Sequence, residues 1–158
     1  MASQNSNPAE NRKLVQRFIE ECWNQGKTNT VNDIFADNVR LHDPVFPSLT
    51  SGAKNLRTHI EDTRRAFPDF KITIDDTISE RNEVVTHWTA RGTHKADFLG
   101  MPATNRKATV TGSSIYRIEG GKIAEEWSHW NLMSLMEQLG VPTPAAEHSK
   151  ATEKQHTR

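Results

Sequence analysis

The 158-residue chain has a single cysteine, Cys22, which excludes an internal disulfide and a cysteine-built zinc site. It has no excess of charge: 20 Lys and Arg balance 20 Asp and Glu. The basic residues are scattered, so nothing draws the chain electrostatically to nucleic acid or to an anionic membrane. No apolar run is long enough to span a bilayer, and the opening MASQNSNPAENRK lacks the apolar segment of a secretory signal. These absences give a cytoplasmic protein with no nucleic-acid and no membrane partner as the expectation. The seven histidines form no H-x-H or H-E-x-x-H spacing, and there is no phosphate-cradling glycine loop. Gly112-Ser113-Ser114 does not make a G-x-S-x-G nucleophile elbow. No metal site is therefore expected.

Hydrophobic residues make up only 34% of the chain, partly because the stretch after Val141, PTPAAEHSKATEKQHTR, has almost nothing to bury. The expected organisation is a disordered terminus at 1–7, one folded domain at 8–141 and a disordered polar tail at 142–158. Asn7-Pro8-Ala9-Glu10 reads as a capped helix start. Leu14, Val15, Phe18, Ile19, Cys22 and Trp23 then recur at helical spacing until Gly26. A short helix is expected over Thr28–Phe35, an extended stretch over Asn38–Asp43, and a third helix over Ser51–Phe67, stopped by Pro68. At Phe70 the period changes to two, and strands follow at Phe70–Asp75, 83–94, 107–118 and 122–131. The last two flank the tight turn Glu119-Gly120-Gly121, and a final helix runs from Asn131 to Gly140. Helices first and antiparallel strands after them predict an α+β domain with helices on one side of a sheet.

Several segments are characteristic. His94-Lys95-Ala96-Asp97-Phe98-Leu99-Gly100-Met101-Pro102-Ala103-Thr104 is similar to a loop of the form G-x-F-x-G-x-P-P-T-G. Val110-Thr111-Gly112, Ile115-Tyr116-Arg117, Gly121-Lys122-Ile123, Glu125-Glu126-Trp127 and Gln138-Leu139-Gly140 follow in order, after Phe35-Ala36-Asp37-Asn38 and His42-Asp43-Pro44 in the first half. In these features the chain resembles the SnoaL-like polyketide cyclases of the NTF2-like superfamily. The resemblance implies a cone-shaped barrel, a curved antiparallel sheet wrapped by N-terminal helices around an apolar pocket. It also implies a hydrophobic small-molecule substrate, no cofactor, and a homo-oligomer, dimer or tetramer, joined through the outer sheet face. Family members commonly carry an Asp beside or just after the Trp of the last strand, and here those positions are Ser128 and Asn131.

The acid–base work of an aldol-type cyclisation, isomerisation or hydrolysis then falls to other groups. Val39, Leu41 and Asp43 share one strand parity, which turns the Asp43 carboxylate inward as a base, or else leaves Asp43 as an Asx turn before Pro44. His129 is a proton shuttle or a sheet histidine, and His42 is a lesser relay pointing opposite to Asp43. Asn131 caps the last helix or hydrogen-bonds a ligand, and Ser114 is a candidate to steady an enolate oxygen. Trp23, Phe46, Trp88, Phe98, Met101 and Trp130 are expected to line the pocket, with the 95–106 loop closing its mouth. Glu125 and Glu126 straddle strand parity, so one of them faces inward if the strand is regular, against the commoner reading of exposed glutamates; His59 is read as a helix-flank residue. A non-catalytic binding domain for a hydrophobic small molecule is the alternative, and a structural module with a filled core is the third reading.

Overall fold

The structure, a computed structural model, describes residues 7–143. Of the tails expected at 1–7 and 142–158, residues 1–6 and 144–158 lie outside the described residues, while Asn7 caps the first helix and Thr143 is buried. Helix α1 (Pro8–Arg17) starts where its capping chemistry predicts. The Asn7 side-chain oxygen accepts from the Ala9 and Glu10 N–H groups, and Pro8 occupies the first turn. Beyond Arg17 the helix widens to a π-helix over Phe18–Asn24, where a regular α-helix to Gly26 was expected. The wider turn places Phe18, Ile19 and Cys22 in the core. It is held from outside: Asn24 exchanges two hydrogen bonds with the Ile72 backbone (3.0 and 2.7 Å), and the Arg64 guanidinium donates to the Trp23 and Asn24 carbonyls. Tertiary contacts thus override the α-helical register.

A 3₁₀ turn at Thr28–Thr30 and the single-turn α2 (Val31–Ile34) lead straight into β1 (Phe35–His42). Then come α3 (Ala53–Ala66), the strands β2 (Lys71–Glu80), β3 (Glu83–Thr93), β4 (Lys107–Glu119) and β5 (Lys122–Trp130), and α4 (Leu132–Leu139). The strands form one curved sheet in the order β1-β5-β4-β3-β2. Four strands make the expected antiparallel meander, but β1 joins β5 in parallel, with Leu41 opposite Glu126 and His42 opposite Trp127. The helices cover the inner face. Phe18 meets Phe35 edge-on at 4.7 Å and Tyr116 at 6.1 Å, and all three are sealed from solvent. Among the described residues, no helix is long and apolar enough to cross a membrane.

One irregularity decides the site. Along β4 and β5, Ile118 faces Ile123 while the next β4 residue, Arg117, faces Glu125, so Ala124 is an extra residue in β5. A bulge of this kind reverses the alternation beyond it. Ile123 points inward before the bulge; after it, Glu126, Ser128 and Trp130 face inward and Glu125, Trp127 and His129 face outward.

Candidate functional site

Between the helices and the inner sheet face lies a cleft of about 790 Å³, counted out to its open mouth. Trp23 from the π-turn, His59, Thr63 and Phe67 from α3, and Phe70 before β2 form one wall. Trp88 from β3, Ser114 and Tyr116 from β4, and Glu126, Ser128 and Trp130 from β5 form the other. Asp43 and Phe46, on the loop after β1, and Phe98, on the loop after β3, complete the lining. Of the predicted ligand residues, Trp23, Phe46, Trp88, Phe98, Ser114 and Trp130 therefore lie on the cavity.

The loop after β3 is clipped at its base by the His94 N–H to Arg106 C=O and Asn105 N–H to His94 C=O bonds (2.9 and 2.8 Å). Phe98 and Met101 pair across its tip, which turns through Leu99 and Gly100 in left-handed conformations. Phe98 reaches the cavity beside Phe46 (5.9 Å) and Phe67 (5.2 Å). Met101 does not: the same pairing turns it into a small cluster with Leu135 and Leu139, which corrects its place among the ligand residues.

Three further expectations are corrected by placement. His42 lies on the outer face, stacked on Trp127 at 5.1 Å and hydrogen-bonded to Glu125 (2.8 Å). His129 is exposed on that face, sharing the parity of Trp127, so neither histidine reaches the cavity. Asn131 lies outside the lining and caps α4, accepting from the Ser134 N–H at 2.9 Å. Asn131→Ala is expected to destabilise the fold by about 1 kcal/mol in urea denaturation, without altering cavity binding.

Asp43 combines both of its expected roles. One carboxylate oxygen closes an Asx turn with the Val45 N–H (2.8 Å), and the other accepts from the Trp130 indole N–H (3.3 Å) at the cavity wall. Nearby, Trp88 donates to Ser114 (3.0 Å), and the Ser114 and Ser128 hydroxyls share one hydrogen bond (3.1 Å). Ser114 also hydrogen-bonds the Tyr116 phenol, so Trp88, Ser114, Ser128 and Tyr116 form one polar chain along the wall.

Strand parity left open which of Glu125 and Glu126 faces inward; the structure turns in Glu126, the most perturbed carboxyl of the site. It is half-buried on the cavity lining, and among the described residues no donor hydrogen-bonds to it. Burial, reinforced by the nearby charge of Asp43, pushes its pKa up to about 8. Burial, and then the Glu126 charge, raise the Tyr116 phenol well above its ordinary value. His59, also unforeseen, packs against Phe46 (4.4 Å) and Trp23 (6.0 Å); burial lowers its pKa, with Asp43 opposing. The signal for His59 was present in the stripe Leu56, His59, Ile60, Thr63, which has the i, i+3, i+4, i+7 spacing of one helix face.

Glu125 contrasts with its neighbour. On the outer face, burial works against its charge, but hydrogen bonds from Arg117 (2.7 Å) and His42 and the charge of Arg40 (2.6 Å) hold its pKa below the usual value. The cavity thus contains a carboxyl that holds its proton at neutral pH beside a second carboxyl held by an indole N–H. Such a pair is equipped to give and take protons. Among the described residues, no three His, Cys, Asp or Glu side chains are placed to hold a metal.

Comparison with known proteins agrees with this architecture. The chain resembles TsrD from Streptomyces laurentii, with 26% identity and a TM-score of 0.79, over 86% of this chain and 98% of that one. It is also similar to IdmH from Streptomyces antibioticus, a proposed polyketide cyclase: 27% identity, TM-score 0.71, over 83% and 99%. AclR from Streptomyces galilaeus, a proposed hydroxylase, shares the fold at 20% identity and TM-score 0.74, over 86% and 100%. No curated protein matches the chain. The family model described as SnoaL-like polyketide cyclase matches residues 13–139, nearly the whole of the described domain, and the chain belongs to that family.

Proposed function

We propose that the protein is an acid–base enzyme acting on a hydrophobic, carbonyl-bearing small molecule, with Glu126 as acid and Asp43 as base. The observation that carries this reading is the Glu126 carboxyl, half-buried on the lining of an apolar cavity with no hydrogen-bond partner among the described residues. A passive binding cavity gains nothing from such a group, because burying an unpaired carboxyl opposes folding. In a ring-closing aldol step, Asp43 takes a proton from a carbon beside one carbonyl. The enolate carbon attacks a second carbonyl carbon, and Glu126 delivers its proton to that carbonyl's oxygen. The proton gained by Asp43 then restores Glu126. Isomerisation would use the same two transfers, with the hydroxyl of Ser114 or Ser128 turning to steady the enolate oxygen. Carboxyl-selective ¹³C NMR of glutamate-labelled protein tests the acid. A resonance that disappears in Glu126→Gln is expected to titrate near 8, and an ordinary midpoint overturns the assignment.

We further propose that the protein forms a homodimer through the outer sheet face. Strand register aligns Ile78, Val85, Ile115 and Trp127 in one row across β2 to β5, with Ile78 65% exposed and Ile115 36%. A row of apolar side chains on open sheet surface favours self-association. Ile115→Lys is expected to convert a dimer to a monomer at micromolar concentration in sedimentation velocity. A wild-type monomer removes this part of the proposal.

A further inference from the structure

The polar groups of the cavity are unbalanced in charge. Asp43 arrives from the end of β1 and Glu126 from β5, and both face the same space. The other titratable groups on the lining supply no counter-charge. His59 from α3 is driven toward its neutral form by burial, and Tyr116 from β4 is held as a phenol. Among the described lining residues the only lysine or arginine is Arg91 of β3, an exposed residue. Arg40 and Arg117 are occupied by Glu125 on the opposite face of the sheet, and Arg64 is spent on the Trp23 and Asn24 carbonyls.

Around the two carboxyls the walls are aromatic. Trp23 and Phe70 lie 5.2 Å apart, and Phe46 sits 5.9 Å from Phe98 and 6.4 Å from Trp130. The indole of Trp130 also donates to Asp43, so ring and carboxylate present themselves together. Aromatic faces attract cations, and more strongly where water is excluded. A neutral ligand draws nothing from the uncompensated charge of Asp43, and an anion would be repelled by it.

The geometry points to a lipophilic cation as the preferred ligand: an organic amine or quaternary ammonium whose nitrogen lies against Asp43 and Glu126 between these rings. The inference rests on the cavity being a small-molecule site, as proposed above, and not on which carboxyl moves a proton. A bound cation would also favour ionisation of Glu126, so binding at neutral pH would release protons to the solvent.

A charged and a neutral ligand of one shape test this. Phenyltrimethylammonium and tert-butylbenzene differ in replacing nitrogen by carbon, and quenching of Trp23, Trp88 and Trp130 reports their binding to the full chain. The cation is expected to bind at least about tenfold more tightly at pH 7. In Asp43→Asn and in Glu126→Gln, tested separately, that preference should shrink while tert-butylbenzene binding holds. Calorimetry in buffers of different ionisation enthalpy should show proton release with the cation and none with the hydrocarbon. Equal or tighter binding of tert-butylbenzene overturns the cation preference and leaves the small-molecule cavity standing. If neither compound binds, both readings fail.

Discussion

Glu126→Gln is expected to lower turnover of any substrate the cavity accepts by at least about a hundredfold, the usual effect of removing a positioned acid. The same substitution is expected to stabilise the fold at alkaline pH. An isolated glutamate ionises near 4.5, but in the cavity Glu126 does so at about 8. Between those values the folded state holds a proton that the unfolded chain has released, so stability falls as pH rises. Below about 4.5 both states are protonated and the term vanishes; above about 8 it has reached its full, unfavourable size. A rise of this extent corresponds to a loss on the order of 4 kcal/mol. Glutamine keeps the shape and has no proton to lose, so the variant escapes this loss. Burial of His59 acts in the opposite direction, costing stability at acid pH, and is common to both proteins. Urea denaturation from pH 4 to pH 9 should therefore show wild-type stability dropping relative to the variant across the interval and running parallel to it beyond. Parallel curves throughout would mean that Glu126 is not buried as an acid. A gain in stability together with a loss of turnover is the signature of a group retained for chemistry.

Much of the fold follows from local pattern, and the departures have physical causes. The caps at Asn7 and Asn131, the left-handed Gly140 and the period-two strands from Phe70 onward specify α1, α4 and the meander directly. The π-turn at Phe18–Asn24 does not show in helical spacing, because it is imposed by Asn24 and Arg64 reaching other elements. The parallel pairing of β1 is equally hidden, since α3 and three strands lie between it and β5 along the chain.

The site was less legible because it depends on one bulge. Counting alternation from Ile123 turns Glu125 inward and Glu126 outward, the reverse of what Ala124 produces. The same count turns His129 inward, and the structure puts His129 with Trp127 on the outside. For Asp43 the strand parity from Val39 was sufficient, because no irregularity falls between Val39 and the cavity. Bulges near sites re-aim side chains, and here the re-aimed group is the carboxyl that holds the proton.

Gly112→Val is expected to destabilise the protein by about 3 kcal/mol, the upper part of the range for overpacking. A glycine within a strand is otherwise a weakness, and from sequence Gly112 stood alone in β4 without a reason. Its backbone is not in a left-handed conformation, so the need is for space. A Cβ here would come within 2.4 Å of the Trp88 indole and 2.7 Å of the His129 carbonyl oxygen. The carbonyl belongs to the β4–β5 ladder and cannot retreat without opening it. The indole is the softer neighbour, but moving it breaks its hydrogen bond to Ser114 and pushes it into the cavity. Gly112→Ala should show the same effects in milder form. The expected result is a lower midpoint in urea, a shift in tryptophan emission, and weaker binding of the hydrocarbon probe, all ordered Gly, Ala, Val. Unchanged stability in Gly112→Val would mean that Trp88 does not press on this glycine, and with it would go the account of how β3, β4 and β5 shape the cavity floor.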